Sequence, residues 1–215
     1  MSISTSDIAR LRAMTGAGML DCKNALEEAL GNTEQAVDIL RKKGIAKAAK
    51  RAGKIAAEGA IISYIHGGGK IGVLVELNCE TDFVAKTDGF RILANDIAMH
   101  IAASNPKYVS RDDIPADVLE REKNVYRDQL IQEGKPAEMI EKIVDGKLIK
   151  FYADACLLEQ AFIKDEEKTI EQLLTNKTAE IGEKISIRRF ARYELGEGIE
   201  KERKDFADEV AAQLS

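Results

Sequence analysis

The residues of this chain best suited to act on another molecule lie in one short stretch, Asn78-Cys79-Glu80-Thr81-Asp82-Phe83-Val84. This stretch stands where an alternating apolar strand stops and a helix has not yet begun. An aromatic side chain beside an acid at such a boundary is poorly placed to join a core and well placed to be presented to a second molecule. The sequence therefore indicates an interaction site built around Asp82 and Phe83.

Groups that commonly perform catalysis are not arranged in a familiar pattern. The histidines, His66 and His100, cannot form any usual zinc spacing with the scattered cysteines. The chain has no nucleophile elbow, no Walker sequence and no Gly-x-Gly-x-x-Gly after a strand. The three glycines of residues 67–69 precede a strand, so they predict a turn and not a phosphate cradle. We expect a binding protein that is not an enzyme and that holds no metal or cofactor. A small enzyme using its carboxylates is a weaker alternative, since no convergent acids are evident.

Composition limits the class of protein further. The chain has 215 residues, 45% hydrophobic and 32% charged, which predicts a globular main core with one small accessory domain. A net charge of −5 argues against a dedicated nucleic-acid binder. The N-terminus resembles no signal or transit peptide, and no apolar run approaches the roughly 18 residues of a membrane span. An odd number of widely spaced cysteines is typical of a reducing compartment, so we expect a cytoplasmic protein.

The N-terminal residues predict a unit of three short helices. The first has possible N-caps at residues 5–7 and ends at the glycines around Gly16. The second covers residues 19–30, and the third begins after Asn32 and ends at Gly44. Such a unit is small enough to be marginally stable alone.

A basic segment, residues 41–54, follows this unit and is rich in Ala, Lys and Arg. Because it has no wide apolar stripe, we predict a helical or frayed linker. The alternative is that its charges contact phosphate, as in an RNA- or ribosome-associated protein; a solvated basic face is the favoured interpretation. We therefore divide the chain into an accessory domain with its linker, residues 1–54, and a core domain, residues 55–215.

At the start of the core domain, the spacing of apolar residues changes from the helical period of 3.6 to the strand period of 2. Residues 71–77 alternate as a strand with one buried face, and residues 60–65 are its predicted hairpin partner. Thr87 or Asp88 can cap the next helix, whose buried face carries the residues Phe90, Leu93, Ala94, Ile97 and Ile101. His100 falls at the border of that face, where a hydrogen-bonded structural role is slightly favoured over a functional one.

The same helix carries a second apolar ridge, Ile92 and Met99, nearly opposite the first. A helix that is apolar on two sides must be covered on both, either by its own chain or by a partner.

The remainder of the chain is predicted to contain both helices and a strand. Residues 114–158 form two helical arms separated by Gly134-Lys135-Pro136, which predicts a projecting antiparallel hairpin. Residues 169–175 predict a short helix and residues 185–195 a strand, and the final helix carries Phe206, Val210 and Leu214. The strand holds three arginines that we expect on the polar side of a sheet: Arg188, Arg189 and Arg192. The fold class is α+β, with a three-helix domain followed by an antiparallel-sheet core and packed helices.

Several segments of the chain, in register over almost its whole length, resemble the elongation factor Ts family. The first is Leu11-Arg12 followed by residues 15–26 (Thr-Gly-Ala-Gly-Met-Leu-Asp-Cys-Lys-Asn-Ala-Leu), and the others are residues 78–86, 98–104 and 196–201. The resemblance implies a guanine-nucleotide exchange factor that associates with GDP-bound elongation factor Tu and promotes exchange of GDP for GTP. For such an exchange factor we expect no direct contact with nucleic acid and no association with a membrane.

Residue roles follow from the same resemblance. Thr81, Asp82, Phe83 and Val84 match the segment that disturbs the Mg²⁺ and phosphate site of the partner, with Phe83 as a wedge. The three-helix unit resembles the ubiquitin-associated-like docking domain of the family. Its predicted partner contacts are Arg12, Met19, Leu20 and Lys23, to which His100 of the core is added. The alternative for Leu20 is packing inside its own domain.

The core module occurs once in this chain, whereas longer family members carry it twice. The resemblance therefore implies a homodimer whose twofold axis supplies the second module and covers the ridge of Ile92 and Met99. In long members the histidine that matches His100 lies in the second copy, which leaves open which chain's His100 contacts the partner.

Overall fold

The computed structural model describes residues 3–199 and confirms a mixed fold of helices and antiparallel sheet. Within these residues no helix combines the length and apolar character needed to cross a bilayer. The predicted helix with Phe206, Val210 and Leu214 lies outside the described residues. The helices are α1 Thr5–Thr15, α2 Met19–Glu28, α3 Thr33–Arg51, α4 Asp82–Ala85, α5 Asp88–Ser104, α6 Ala116–Gln132, α7 Ala137–Ala155 and α8 Ile170–Ile181. The strands are β1 Glu58–His66, β2 Ile71–Cys79, β3 Ala161–Phe162, β4 Asp165–Thr169 and β5 Ser186–Glu194.

Helices α1 to α3 enclose a small apolar cluster of their own, which includes Leu11, Leu26 and Leu40. The predicted N-cap of α1 at residues 5–7 is one residue or more too late. Ser4 caps the helix: its hydroxyl oxygen accepts from the Asp7 N–H, and the Asp7 carboxylate completes a capping box by accepting from the Ser4 backbone N–H. A capping residue must have extended backbone, and Ser4 is the residue that has it.

Gly44 does not end α3, contrary to the prediction, because the helix continues to Arg51. A Cβ atom built on Gly44 would lie 3.2 Å from the Cβ atom of Ala179 on α8. The glycine therefore permits close approach of two helices and does not terminate one of them. The basic segment is helical as far as Arg51, the first of the two conformations predicted for it.

Strands β1, β2 and β5 form one antiparallel sheet with β2 in the centre. The predicted hairpin is confirmed, and the turn glycines 67–69 all have positive φ. The inner face of β2 carries Val73, Val75 and Leu77, which share the main core with the predicted buried face of α5. This core holds the C-terminal end of β2, from which the stretch of residues 80–84 emerges.

The C-terminal elements differ from prediction in extent. Helix α8 runs beyond the predicted residues 169–175 and ends only at Gly182, whose φ is 83°. The short hairpin of β3 and β4 was not predicted, since its strands are brief and β4 is too charged to alternate. On β5, Arg188 and Arg189 both pair with Glu76, as expected for the polar side of a sheet. The prediction is wrong for Arg192, which lies opposite Val73 on the inner face, has a side chain that is 8% exposed and donates to the Ala102 carbonyl of α5.

Helices α6 and α7 form the predicted hairpin around a separate apolar cluster. Arg127 of α6 binds Glu141 of α7, with 2.7 Å between the Nε and Oε1 atoms. At the other end of the hairpin, Arg111 pairs with Glu159 and lies over the ring of Tyr152, 4.3 Å from its centroid. One contact therefore joins the two arms, and the other joins the segments just before α6 and just after α7 at the base of the hairpin.

Candidate functional site

The stretch after β2 begins a one-turn helix, so the expectation that helix had not yet begun there is wrong. Helix α4 starts at Asp82, and Thr81 is its N-cap, with 3.5 Å between the Thr81 Oγ1 and Val84 N atoms. A threonine in extended conformation before an acid is a favourable way to begin a helix. The turn ends within four residues because Thr87 caps the next helix, α5.

Phe83 projects from this turn into solvent, with 79% of its surface exposed. Its neighbour Asp82 pairs with Lys86 at 2.6 Å, and this hydrogen bond lowers the pKa of the Asp82 carboxyl. Val84 lies on the other side of the turn and packs partly against the main core. The site thus presents an uncovered aromatic ring beside an ionised carboxylate.

The turn is fastened by carboxylates from two directions. The Glu183 side chain accepts hydrogen bonds from the backbone N–H and the hydroxyl of Thr81, at 3.0 and 2.7 Å. Glu80 accepts one from the Lys184 backbone N–H at 2.7 Å and another from Arg51 at 2.9 Å. These supports were missed in the sequence, because Glu183 is 102 residues from Thr81 and belongs to no recognisable motif.

The predicted docking residues of the three-helix unit share one property, exposure. Met19 is 44% and Leu20 70% exposed, and Arg12 and Lys23 are also at the surface. The alternative that Leu20 packs inside its own domain is therefore wrong. Exposed large apolar residues on so small a unit are consistent with an interaction surface. Their contacts with a partner stay a prediction.

The two groups of predicted residues lie on separate parts of the chain, which polar contacts connect in addition to the packing of α3 on α8 at Gly44. Arg51, at the end of α3, binds Glu80 immediately before Thr81. Lys184 donates from its Nζ atom to the carbonyl oxygens of Ala52 and Lys54 at 2.8 and 3.0 Å. The end of the basic segment is thereby attached to the base of the exposed turn.

His100 does not lie at a border, as predicted, because its side chain is completely buried. Its Nε2 atom lies 3.0 Å from Oε1 of Gln160, and its Nδ1 atom accepts from the Ile163 N–H at 3.4 Å. Burial lowers the pKa of the imidazole. The hydrogen-bonded structural role fits this geometry, and a direct partner contact would need the residue to become accessible.

Neither a metal centre nor a strongly cationic groove is evident in the part of the chain that the structure describes. It has no group of three or more His, Cys, Asp or Glu side chains that could hold a metal ion. Along the basic segment, Lys43 pairs with Glu28 and Lys47 with Asp21, at 2.5 and 2.8 Å. These pairs reduce the positive potential that an RNA-binding surface would need.

Comparison with known proteins identifies the relatives of the chain. Residues 13–197 match the family model described as Elongation factor TS. The chain is 59% identical to elongation factor Ts of Syntrophomonas wolfei over 212 residues, which cover 99% of both chains. It is 58% identical to elongation factor Ts of Geobacter sulfurreducens over 212 residues, 99% of this chain and 98% of the relative. The chain therefore belongs to the elongation factor Ts family of translation elongation factors.

Proposed function

We propose that the chain is a guanine-nucleotide exchange factor that binds GDP-bound elongation factor Tu and accelerates the replacement of GDP by GTP. The observation that carries this proposal is the exposed ring of Phe83 on a turn that the core and two carboxylates hold in place. An uncovered aromatic side chain on a fixed support is suited to enter another protein with little loss of conformational entropy.

In this proposal Phe83 acts as a wedge between helices of the GTPase, and Thr81 to Val84 enter near its Mg²⁺ and phosphate site. The Mg²⁺ ion of the partner neutralises charge on the bound phosphates. Asp82 is kept ionised by Lys86, so it would bring a negative charge close to the elements that hold the metal. Disturbing those elements weakens nucleotide binding, and no covalent bond is made or broken.

The thermodynamic basis is linkage between two ligands. If the factor binds nucleotide-free GTPase more tightly than the GDP form, GDP must weaken the factor by the same ratio. Exchange then proceeds towards GTP when GTP is the more abundant nucleotide. The chain would therefore accelerate dissociation, and it needs neither a cofactor nor a catalytic residue of its own.

Residues 1–54 would act as the docking domain, with Met19 and Leu20 as apolar anchors and Arg12 and Lys23 beside them. All four are exposed, and the apolar cluster of α1 to α3 is distinct from the main core. Residues 55–215 would form the core domain that carries the wedge. This division separates binding of the partner from disturbance of its nucleotide site.

We also propose a homodimer, with the outer face of the sheet as its interface. Ile61, Ile65, Leu74 and Tyr193 lie on this face and are 48% to 72% exposed. Beside these residues the side chain of Glu76 is only 13% exposed and already pairs with Arg188 and Arg189 of the same chain, so the four apolar residues carry the proposal of a twofold interface. The ridge on α5 supports an interface less well, because Ile92 is exposed but Met99 is half-buried.

The experiment that tests the exchange function is stopped-flow release of a fluorescent GDP analogue from elongation factor Tu. The wild-type chain should accelerate release, and Phe83→Ala should lower the rate at saturation by about tenfold or more. This estimate assumes that burying a Phe side chain stabilises the complex by about 1.5 to 3 kcal/mol.

A matched control is Ile149→Ala, which truncates a 62% exposed apolar residue on α7 and should exchange at the wild-type rate. Because Phe83 is largely exposed, its loss should change the free energy of unfolding by less than about 0.5 kcal/mol. Wild-type GDP release with Phe83→Ala would refute the role of the wedge. No acceleration by the wild-type chain would refute the exchange function.

A further inference from the structure

We propose that Glu183 is a positioning residue for exchange: its carboxylate fixes the start of α4 and thereby the direction in which Phe83 projects. The inference rests on the proposed exchange function and adds to it a residue outside the segment of Thr81 to Val84. Glu183 lies just after Gly182, the residue that ends α8, and is far from Phe83 in sequence.

Thr81 is held on both sides of its backbone. Glu183 receives the N–H of Thr81 on Oε2 and its hydroxyl on Oε1, so both carboxylate oxygens are used. The carbonyl oxygen of Thr81 accepts from the Cys79 thiol at 3.1 Å and from the Ala85 N–H at 3.4 Å. Hydrogen bonds to a charged acceptor are stronger than neutral ones, so the carboxylate dominates this anchor.

A second carboxylate joins the same two segments, but it extends from the other one. Glu80 reaches across to the backbone N–H of Lys184, while Glu183 reaches back to the backbone of Thr81. The Glu80 side chain is only 16% exposed and also binds Arg51. Hydrogen bonds from two carboxylates that reach in opposite directions between the same two segments resist rotation of one segment against the other, which a single point of attachment would allow.

The turn needs this support because it is too short to hold itself. Helix α4 has four residues, and so short a helix is unstable without tertiary contacts. Val84 and Ala85 pack against the core and fix the depth of the turn. Phe83 itself is 79% exposed, so its direction depends on the backbone that carries it.

The position of Glu183 favours this role over a role in α8. A carboxylate near the C-terminus of a helix faces the negative end of the helix dipole, which is unfavourable. The two donors of Thr81 offset that cost and give the charge a specific use. A residue that served α8 alone would more favourably be a lysine or arginine at this place.

The test compares Glu183→Ala with wild type in stopped-flow GDP release over a range of factor concentrations. We expect the maximal rate to fall by about tenfold or more, because the variant loses both charge-assisted hydrogen bonds to Thr81 and the loss of one is already worth about tenfold. The half-saturating concentration should stay within about twofold, because the residues proposed for docking lie on α1 and α2. Glu183→Gln keeps one acceptor oxygen, so its maximal rate should lie between those of wild type and Glu183→Ala.

A double-mutant cycle with Phe83→Ala separates positioning from general destabilisation. If Glu183 acts through Phe83, Glu183→Ala should cause no further loss in the Phe83→Ala background. Glu166→Ala removes an exposed carboxylate on β4 and should exchange at the wild-type rate. Circular dichroism and cooperative thermal unfolding would confirm that each variant is folded.

Three outcomes would overturn the inference: a wild-type maximal rate for Glu183→Ala, an undiminished loss in the Phe83→Ala background, or a change confined to the half-saturating concentration. These outcomes differ from failure of the proposed function, in which the wild-type chain itself would not accelerate GDP release.

Discussion

The Nε2 atom of His100 lies 3.0 Å from Oε1 of Gln160, and both side chains are buried. The Gln160 amide nitrogen donates to the Asp154 carbonyl at 2.7 Å, which orients Oε1 towards the ring. The Ile163 N–H donates to Nδ1. The contacts therefore fit a neutral imidazole that carries its hydrogen on Nε2, and a second proton on Nδ1 would face the hydrogen of Ile163.

This geometry predicts a pH dependence of stability. Burial lowers the pKa of His100 below its ordinary value of 6.5, so the unfolded chain binds a proton more readily than the folded one. The contribution of the neutral ring to stability is complete above about pH 6.5 and is lost as the pH falls through and below that value. Thermal unfolding at about pH 7.5 and pH 5.5 would measure the loss.

The comparison uses His100→Gln, which removes the titrating group. Its melting temperature should change less between the two pH values than that of wild type. His66→Gln is the matched control, because His66 is exposed at the end of β1 and bonds the Tyr64 hydroxyl. An equal pH response in wild type and His100→Gln would show that the buried ring does not cause the loss.

Two glycines predict opposite effects of the same substitution. Gly59 has a φ of 145°, and a Cβ atom there would lie 2.1 Å from the Leu77 carbonyl oxygen. Gly59→Ala should therefore destabilise the sheet by several kcal/mol, on the order of 3. Gly146 lies within α7 with nothing near its added Cβ, and Gly146→Ala should stabilise by about 0.5 to 1 kcal/mol. Denaturant unfolding of both variants measures the difference, and a stabilising Gly59→Ala would contradict it.

Docking through α2 predicts an effect on binding alone. Leu20→Ala should raise the factor concentration that half-saturates GDP release by about tenfold, since Leu20 would bury its side chain in the partner. The maximal rate should stay unchanged, because the wedge is intact. Leu30→Ala removes an 85% exposed side chain from the same three-helix unit and serves as the control. An unchanged half-saturating concentration for Leu20→Ala would exclude that contact.

If the outer face of the sheet is the dimer interface, a charge introduced at its centre should dissociate the dimer. Leu74→Lys places an ammonium group on the middle strand of the outer face and should convert dimers into monomers of 23.6 kDa. Multi-angle light scattering at micromolar concentration measures the mass. Ile92→Lys should leave the dimer intact; dissociation by this variant alone would assign the interface to the ridge on α5. A monomeric wild-type chain would refute the homodimer.

Sequence patterns predicted the main elements well where the chain is periodic. The alternation of residues 71–77 identified β2 and its buried face, and the spacing of Phe90, Leu93 and Ile97 identified that of α5. Gly134 to Pro136 located the break between α6 and α7. These signals are local, because one buried face imposes a period of 2 on a strand and 3.6 on a helix. The end of α3 was mispredicted at Gly44 because a local signal cannot show a neighbouring element. Only the position of α8 shows that the missing side chain of Gly44 permits close packing.

The sequence by itself determined that an acid and an aromatic residue, Asp82 and Phe83, follow directly after a buried strand. It also showed the membership of the family through segments in register along the chain. Only the tertiary structure decided that Phe83 is uncovered, that His100 is enclosed, and that Glu183 lies against Thr81. The physical reason is that exposure and hydrogen-bond partners depend on segments 60 to 102 residues apart, which the fold brings together and no local pattern encodes.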